Sequence, residues 1–536
     1  MGKSVSRRDF IGASGAAALT GAAASSSLAA LGAAQTAAGQ SSITASLAKK
    51  PNLIFFMPDE MRADSLACYG NPVTKTPNID RLAQQGARFA NCYDQYPVCG
   101  ASRCSLLTGW PTSVRGHRSL YYFLRPEEPN LFRYLRRAGY DVYWFGKNDA
   151  LAAQSFADSV TEWSDTNGSV GPGASLTPGI NSMLHAPSGT RTTTSDYANL
   201  QNALKIIERK EQDRPFCIYL PLLNPHPPYT GPAEFFNMYS PDSLPPLVPP
   251  GLPKKPNFHA GMREMYGLNK LNDATFRKIR AVYYGQVSYS DWLLGELMSA
   301  LERTGRDKDT ALFLFADHGD YTGDFGLVEK WTSGLEDCLT HVPLIVRVPG
   351  GKPGVVGEDM TELYDVMQTS LDLAATTAQH THFSRSLLPQ IAGGAGDPDR
   401  AAFAEGGYNV YEPQCFEPAG AGGGDYTGKI RLQNEQPDTI TRCAMVRTRD
   451  HKLILRPQGQ SELYSYKEDP QERNNLFGEA GSAAIQSELQ QKLLDHYLQT
   501  TGIAPMDKDP RGVPPFYPTN PGLTPPGWQR SILDKG

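Results

Sequence analysis

Short continuous apolar runs recur along this chain, and each gives way to a cluster of polar residues. Asn52-Leu53-Ile54-Phe55-Phe56-Met57 leads into Asp59-Glu60, and Asp141-Val142-Tyr143-Trp144-Phe145 leads into Gly146-Lys147-Asn148-Asp149. Phe216 to Leu223 ends at Asn224-Pro225-His226, and Ala311 to Ala316 ends at Asp317-His318-Gly319. Runs of this length lack the alternation of a half-exposed strand and are separated by stretches with helical spacing. They predict buried strands of a parallel sheet with helices on both faces. Ligands in such sheets bind beyond the carboxyl ends of the strands. Four runs that deliver Asp, Glu, Lys and His to that end predict one site assembled from distant sequence.

The segments between the runs fit the same plan. Thr76-Pro77 opens a helix through Ala83 that stops at Gly86. Ile279, Tyr283, Val287, Leu294, Leu297 and Leu301 keep helical spacing as far as Gly305, which predicts a packing helix. Proline is frequent from Pro225 to Pro256, so this stretch reads as a long loop over the site. Gly420 to Gly428 punctuates the chain a second time. Beyond it, Thr441 to Thr448, Lys452 to Leu455 and Glu462 to Tyr464 alternate like antiparallel strands, ahead of a helical Ile485 to Leu498. The expected fold is α/β: a large mixed, mostly parallel sheet flanked by helices over residues 50–425. A small antiparallel α+β subdomain follows over 440–500, and then a Pro-rich tail over 501–536.

Composition narrows the function. The 536 residues are 40% hydrophobic, enough for one large domain and a smaller one. A net charge of -5 argues against nucleic acid as a partner. Cysteines at 68, 92, 99, 104, 217, 338, 415 and 443 have no zinc-type spacing and are too scattered for a disulfide scaffold. Residues 1–40 stand apart from the rest. Ser6-Arg7-Arg8-Asp9-Phe10-Ile11 resembles the twin-arginine export signal. The Ala/Gly/Ser run behind it falls short of the roughly 20 strongly apolar residues that a retained membrane helix needs. The expectation is a cleaved leader and a periplasmic or secreted protein with no stable membrane anchor.

The chemistry centres on Val98-Cys99-Gly100-Ala101-Ser102-Arg103-Cys104-Ser105-Leu106-Leu107-Thr108-Gly109. Its small residues predict a tight turn opening a helix, with Cys99 at the positive N-terminus and Arg103 one turn later on the same face. Asp59, Glu60, Asp317 and His318 offer three carboxylates and an imidazole, a donor set that suits calcium or magnesium better than zinc.

Cys99-x-Ala101-x-Arg103 with the following Ser105 to Gly109 resembles the signature of the formylglycine-dependent sulfatases, in the alkaline-phosphatase-like superfamily. The likeness runs from Asn52 to about Leu498 and includes Asp469-Pro470-Gln471-Glu472-Arg473-Asn474-Asn475-Leu476 of the small subdomain. It implies that a formylglycine-generating maturation enzyme oxidises Cys99 to an aldehyde. One hydroxyl of the hydrated aldehyde then attacks sulfur and displaces the alcohol, and the second collapses to expel sulfate. The resemblance places Asp59, Glu60, Asp317 and His318, with Cys99, around calcium, magnesium being the other ion considered. It places Arg103, Lys147 and Lys330 around the sulfate and makes His226 the proton donor to the leaving alcohol, a role its near-neutral pKa suits. Many relatives have Lys-x-His where this chain has Lys147-Asn148-Asp149. Asp149 is therefore a candidate base, and Asn148 alternatively a sulfate contact. Ala101 replaces the commoner Pro, Glu60 the common second Asp, and His318 a frequent Asn. His117, after Gly116, is a weaker candidate for that base, and Asp324, Asp337 and His341 remain candidates for substrate or supporting contacts. The implied substrate is a sulfated small molecule or saccharide, for which Tyr121-Tyr122-Phe123 offers stacking faces. Two other readings stay open: a phosphonate monoester or phosphodiester hydrolase with the same nucleophile and metal, and an exported binding protein with unmodified Cys99.

Overall fold

The four apolar runs all form strands whose interior positions are buried, as continuous hydrophobicity requires of a sheet covered on both faces. The computed structural model describes Ile43 and residues 49–164, 171–210, 213–418 and 424–503. The expected leader over 1–40 and all but the first three residues of the Pro-rich tail lie outside the described residues. No helix among the described residues is long and apolar enough to cross a membrane.

In chain order the strands are β1 (Asn52–Asp59), β2 (Ala87–Tyr93), β3 (Asp141–Phe145), β4 (Glu162–Ser164), β5 (Phe216–Pro225), β6 (Thr310–Phe315), β7 (His341–Val342), β8 (Leu344–Arg347), β9 (Val355–Glu362), β10 (Ala402–Gly406), β11 (Cys443–Arg447), β12 (His451–Leu455) and β13 (Glu462–Ser465). Among the described residues nine of them form one sheet in the order β4-β3-β5-β1-β6-β8-β2-β7, with β9 also beside β2. β3, β5, β1 and β6 run parallel, so the carboxyl ends that carry the polar clusters lie side by side. The sheet is mixed because β8 runs antiparallel to β6 and β2 antiparallel to β8, whereas β9 is parallel to β2. Aromatic side chains fill the layer beneath the site: Phe55 packs on Phe313 at 5.2 Å, and Trp144 stands edge-on to Tyr219 at 4.6 Å.

The predicted packing helix spans Asp273–Thr304. Asn272 caps its start by accepting from the Thr275 N–H, and Gly305, at φ 71°, ends it. The backbone carbonyl of Phe235 fills the space a Cβ would need at Gly285, so this helix approaches its neighbour only as glycine. The stretch from Pro225 to Pro256 holds only the short helices Ala233–Phe236 and Pro241–Ser243. The small antiparallel sheet has the order β10-β11-β12-β13 and is covered by the helix Ala483–Thr500 through Leu489 and Leu493. Its first strand, β10, lies ahead of the expected join at Gly420 to Gly428. The apolar pattern there is weak because Ala402, Ala404 and Gly406 are small.

Candidate functional site

Each parallel strand places its polar cluster at the same edge. A register shift between Pro58 and Asp59 interrupts the pairing of β1 with β5, which resumes with Asp59 opposite Pro225. Asp59 then receives Lys147 Nζ at 2.8 Å and Arg103 Nη2 at 2.9 Å on Oδ2. Burial acts to raise the Asp59 carboxyl, but Lys147 and Arg103 outweigh it and hold the group well below the usual carboxylate range.

The helix Cys99–Thr108 is wholly buried, begins at Cys99 and ends at Gly109, whose φ of 67° makes the left-handed cap. Cys99 Sγ lies 3.1 Å from His318 Nε2, 3.5 Å from Asp59 Oδ1 and 3.6 Å from Lys147 Nζ. Burial first, and Asp59 second, push its thiol well above the ordinary value, so the unmodified side chain is a protonated, poor nucleophile. Arg103, one turn on, is fully buried and also donates through Nε to Asp317 Oδ2 at 2.8 Å. Its guanidinium thus lies between the two carboxylates of the site.

Asp317 follows β6. Its Oδ1 accepts from the backbone N–H of Glu60 at 3.0 Å and of His318 at 3.1 Å, and the Ser102 hydroxyl donates to its carbonyl at 2.6 Å. His318 Nδ1 faces the Gly319 carbonyl at 2.9 Å and so carries the ring proton, which leaves the Nε2 lone pair toward Cys99. Burial keeps this imidazole neutral by lowering its pKa. Side-chain donor atoms of Asp59, Cys99, Asp317 and His318 all lie within 4.8 Å of one another, and all four residues are buried. Asp59, Glu60 and His226 form a second, overlapping set with the same property.

Lys147, just past β3, reaches Asp149 Oδ2 at 2.9 Å as well as Asp59. Burial opposes its charge, but Asp149 and Asp59 outweigh it and raise its pKa. Among the described residues Asn148 bonds only within its own turn, accepting from the Ala150 and Leu151 N–H groups and donating to the Leu151 carbonyl. Asp149 therefore meets the site cation, and Asn148 shapes the loop. His226, at the end of β5, sets Nδ1 2.6 Å from the Pro227 carbonyl and Nε2 3.0 Å from Lys330 Nζ and 3.3 Å from Glu60 Oε2. Burial, then the charges of Lys330 and Lys147, hold it well below an ordinary histidine. Lys330 in turn sits 2.7 Å from Glu60 Oε2 and 3.3 Å from Glu329 Oε1.

The structure thus brings Asp59, Glu60, Cys99, Arg103, Lys147, Asp149, His226, Asp317, His318 and Lys330 together. His117 instead bonds Glu128 at 3.0 Å and the Tyr122 carbonyl. Asp324 pairs with Arg62 and Arg280, Asp337 with Lys452, and His341 stacks on Tyr93. Phe123 packs over the start of the nucleophile helix at Gly100, and Tyr121 is 49% exposed nearby in sequence. Sequence reasoning missed the layer behind Lys330. Glu329 bonds Lys429 at 2.9 Å, and Tyr229 donates to Asp320 at 2.8 Å while accepting from the Glu329 N–H. Adjacency signalled Glu329, and the short step from Asp317 signalled Asp320, but Lys429 comes from a distant helix with no local cue.

The sulfatase family model matches residues 51–383. An arylsulfatase of Clostridium perfringens is 27% identical over 365 residues, which cover 61% of this chain and 75% of that protein. An N-acetylglucosamine-6-O-sulfatase of Bacteroides thetaiotaomicron is 25% identical over 86% of this chain and 88% of its own length. The crystal structure of the phosphonate monoester hydrolase of Agrobacterium radiobacter superposes with a TM-score of 0.69 at 22% identity, covering 84% of this chain and 96% of that one, a likeness of fold.

Proposed function

This chain belongs to the sulfatase family, a sulfuric ester hydrolase by that membership, and from it we propose that the enzyme cleaves the sulfate ester of a carbohydrate with formylglycine at residue 99. The observation that carries the reading is the convergence of the Cys99 side chain with Asp59, Asp317 and His318 in one buried cluster. Two carboxylates and an imidazole lone pair fit a hard divalent cation, calcium or alternatively magnesium. Bound there, it supplies Lewis-acid polarisation of a sulfate oxygen and lowers the pKa of a hydroxyl at residue 99. Formylglycine, made from Cys99 by a maturation enzyme and hydrated, supplies two hydroxyls on one carbon, one to attack sulfur and one to release sulfate.

The remaining residues work around this pair. Arg103 offsets the charge of Asp59 and Asp317 where both are out of water. Lys147 sets a cation 3.6 Å from the residue-99 side chain, where charge grows on the transferring sulfate. Asp149, beside Lys147, takes the place of the histidine base of many relatives. Lys330 Nζ donates to the His226 Nε2 lone pair at 3.0 Å, and a proton held by this pair is the one the leaving alcohol takes up as its bond to sulfur breaks.

The carbohydrate assignment is supported by the likeness to the N-acetylglucosamine-6-O-sulfatase and by the aromatic stretch Tyr121 to Phe123. The twin-arginine motif supports export to the periplasm or beyond by a route that carries folded protein, which lets Cys99 be oxidised first. Rates on N-acetylglucosamine 6-sulfate, 4-nitrophenyl sulfate and a 4-nitrophenyl phosphonate monoester test the proposal. Sulfate ester turnover well above phosphonate turnover is expected. The reverse order favours the phosphonate monoester or phosphodiester reading, and binding of the sulfated sugar without turnover favours a binding protein.

A further inference from the structure

We infer that Glu60 is a positioning residue, holding Lys330 and His226 against the leaving oxygen, and that it is not a ligand of the metal. Sequence alone puts Glu60 with the metal donors, because it follows Asp59. The backbone tells the two apart. Glu60 has φ 65°, a left-handed conformation unusual for a residue with a side chain. That conformation is clamped on both sides: its N–H donates to Asp317 Oδ1 at 3.0 Å, and its carbonyl accepts from the Tyr283 hydroxyl at 2.8 Å. The clamp fixes the direction from which the carboxylate must work, and Oε2 is found 2.7 Å from Lys330 Nζ and 3.3 Å from His226 Nε2. It stands outside the four-residue cluster around Cys99, while with Asp59 and His226 it forms the second set of donor atoms within 4.8 Å of one another, a set whose Glu60 and His226 members both already face Lys330.

Charge accounting points the same way. The Lys330 side chain is 2% exposed, and a buried ammonium needs a carboxylate in contact. Glu329 lies farther, at 3.3 Å, and is itself bound by Lys429 at 2.9 Å. Glu60 is therefore the closer carboxyl to Lys330; burial pushes it well above the usual carboxylate range, and the ammonium of Lys330 is the largest influence drawing it back. Were its Oε2 to turn to a dication, Lys330 would lose that partner beside an added positive charge. With Glu60 in place, Lys330 is held where it also reaches His226 at 3.0 Å. Without it, Lys330 moves to Glu329 and leaves the histidine. Glu60 Oε1, buried with no hydrogen-bond partner among the described residues, is the atom through which the rival assignment would bind metal.

The inference rests on the reading of His226 and Lys330 as the source of the alcohol's proton, so its test separates metal from proton transfer. Matured wild-type, Glu60→Gln and Asp59→Asn proteins are dialysed against defined free calcium, bound calcium is counted, and kcat and KM are measured on two esters. Glu60→Gln is expected to bind as much calcium as wild type, whereas Asp59→Asn loses it. Its kcat on N-acetylglucosamine 6-sulfate falls about 10- to 100-fold, with KM little changed, because an alkoxide leaves only with a proton. On 4-nitrophenyl sulfate, whose phenolate leaves unprotonated, kcat falls less than about threefold. Calcium lost from Glu60→Gln as from Asp59→Asn, or an equal fall in kcat on both esters, overturns the inference. Glu60→Gly, which the left-handed backbone favours, carries the same comparison if the glutamine variant folds poorly. A wild-type protein that turns over neither ester refutes the proposed function instead, and the calcium count alone then decides whether Glu60 is a ligand.

Discussion

Arg103→Ala removes the cation that lies between two buried carboxylates. Arg103 contacts Asp59 at 2.9 Å and Asp317 at 2.8 Å, and all three side chains are 0% exposed. Removing one member of a buried ion pair typically costs about 3–5 kcal/mol, because the partner is left charged and dry. Two features pull this case toward the lower figure. Lys147 still reaches Asp59 at 2.8 Å, and two backbone N–H groups still donate to Asp317 Oδ1. The expected loss in chelator is therefore about 3 kcal/mol. A bound divalent cation would replace the missing charge. At a hundred times its dissociation constant it adds about 2.7 kcal/mol to whichever protein binds it, and the variant, with more carboxylate repulsion to relieve, gains more than wild type at equal concentration. Urea unfolding followed by tryptophan fluorescence, in EDTA and in calcium, measures both terms. A variant within about 1 kcal/mol of wild type in EDTA, or one that calcium helps no more than wild type, would refute the electrostatic reasoning.

Further expectations follow from the same geometry. Lys147→Ala removes the cation beside residue 99 and lowers kcat/KM on 4-nitrophenyl sulfate about 10²- to 10³-fold, with the circular dichroism spectrum unchanged because its side chain is 26% exposed and at the rim. Asp149→Asn lowers kcat about 10- to 100-fold, whereas Asn148→Ala stays within about twofold because, among the described residues, it bonds only to the 150–151 turn. His380 is pushed down to about 3 by burial against Tyr134 and Trp110, where it bonds the Tyr134 hydroxyl and the Thr108 carbonyl. The unfolded chain takes up this proton below about pH 6.5 and the native protein does not. Its stabilising contribution is therefore intact above 6.5 and is lost as pH falls toward 3, at up to about 1.4 kcal/mol per pH unit. Urea unfolding of wild type and His380→Gln at pH 7, 6, 5 and 4 should show the variant losing less on acidification, and parallel curves would contradict it.

The parts of the fold legible in the sequence are those where one physical demand sets every position. β1 and β6 are buried along their whole length, so their apolar runs are unbroken and their ends sharp. The carboxyl ends of β1, β3, β5 and β6 carry Asp59, Lys147, His226 and Asp317, which is why one site could be read from four separate stretches. Strands at the antiparallel side of the sheet were harder. β2 alternates between buried and half-buried positions, β7 and β8 are two and four residues long, and β10 has small residues. Within the site, residue types disclosed the donors and not their partners. Glu60 beside Asp59 reads as a second donor, and its left-handed backbone and its contact with Lys330 had no cue in the sequence. Arg103 reads as a sulfate contact, and the fold sets it between two carboxylates. Lys429 reaches Glu329 from a hundred residues away, a contact set by packing alone.

The account stands on what residue 99 becomes in the working enzyme. Peptide mass spectrometry across Cys99, on protein purified from its own host or co-expressed with a formylglycine-generating enzyme and shown to hydrolyse a sulfate ester, tests it most directly. The aldehyde lowers the peptide mass by about 18 Da relative to the thiol, and the modified peptide reacts with a hydrazide probe. An active preparation in which Cys99 is entirely the unmodified thiol would contradict the proposed chemistry.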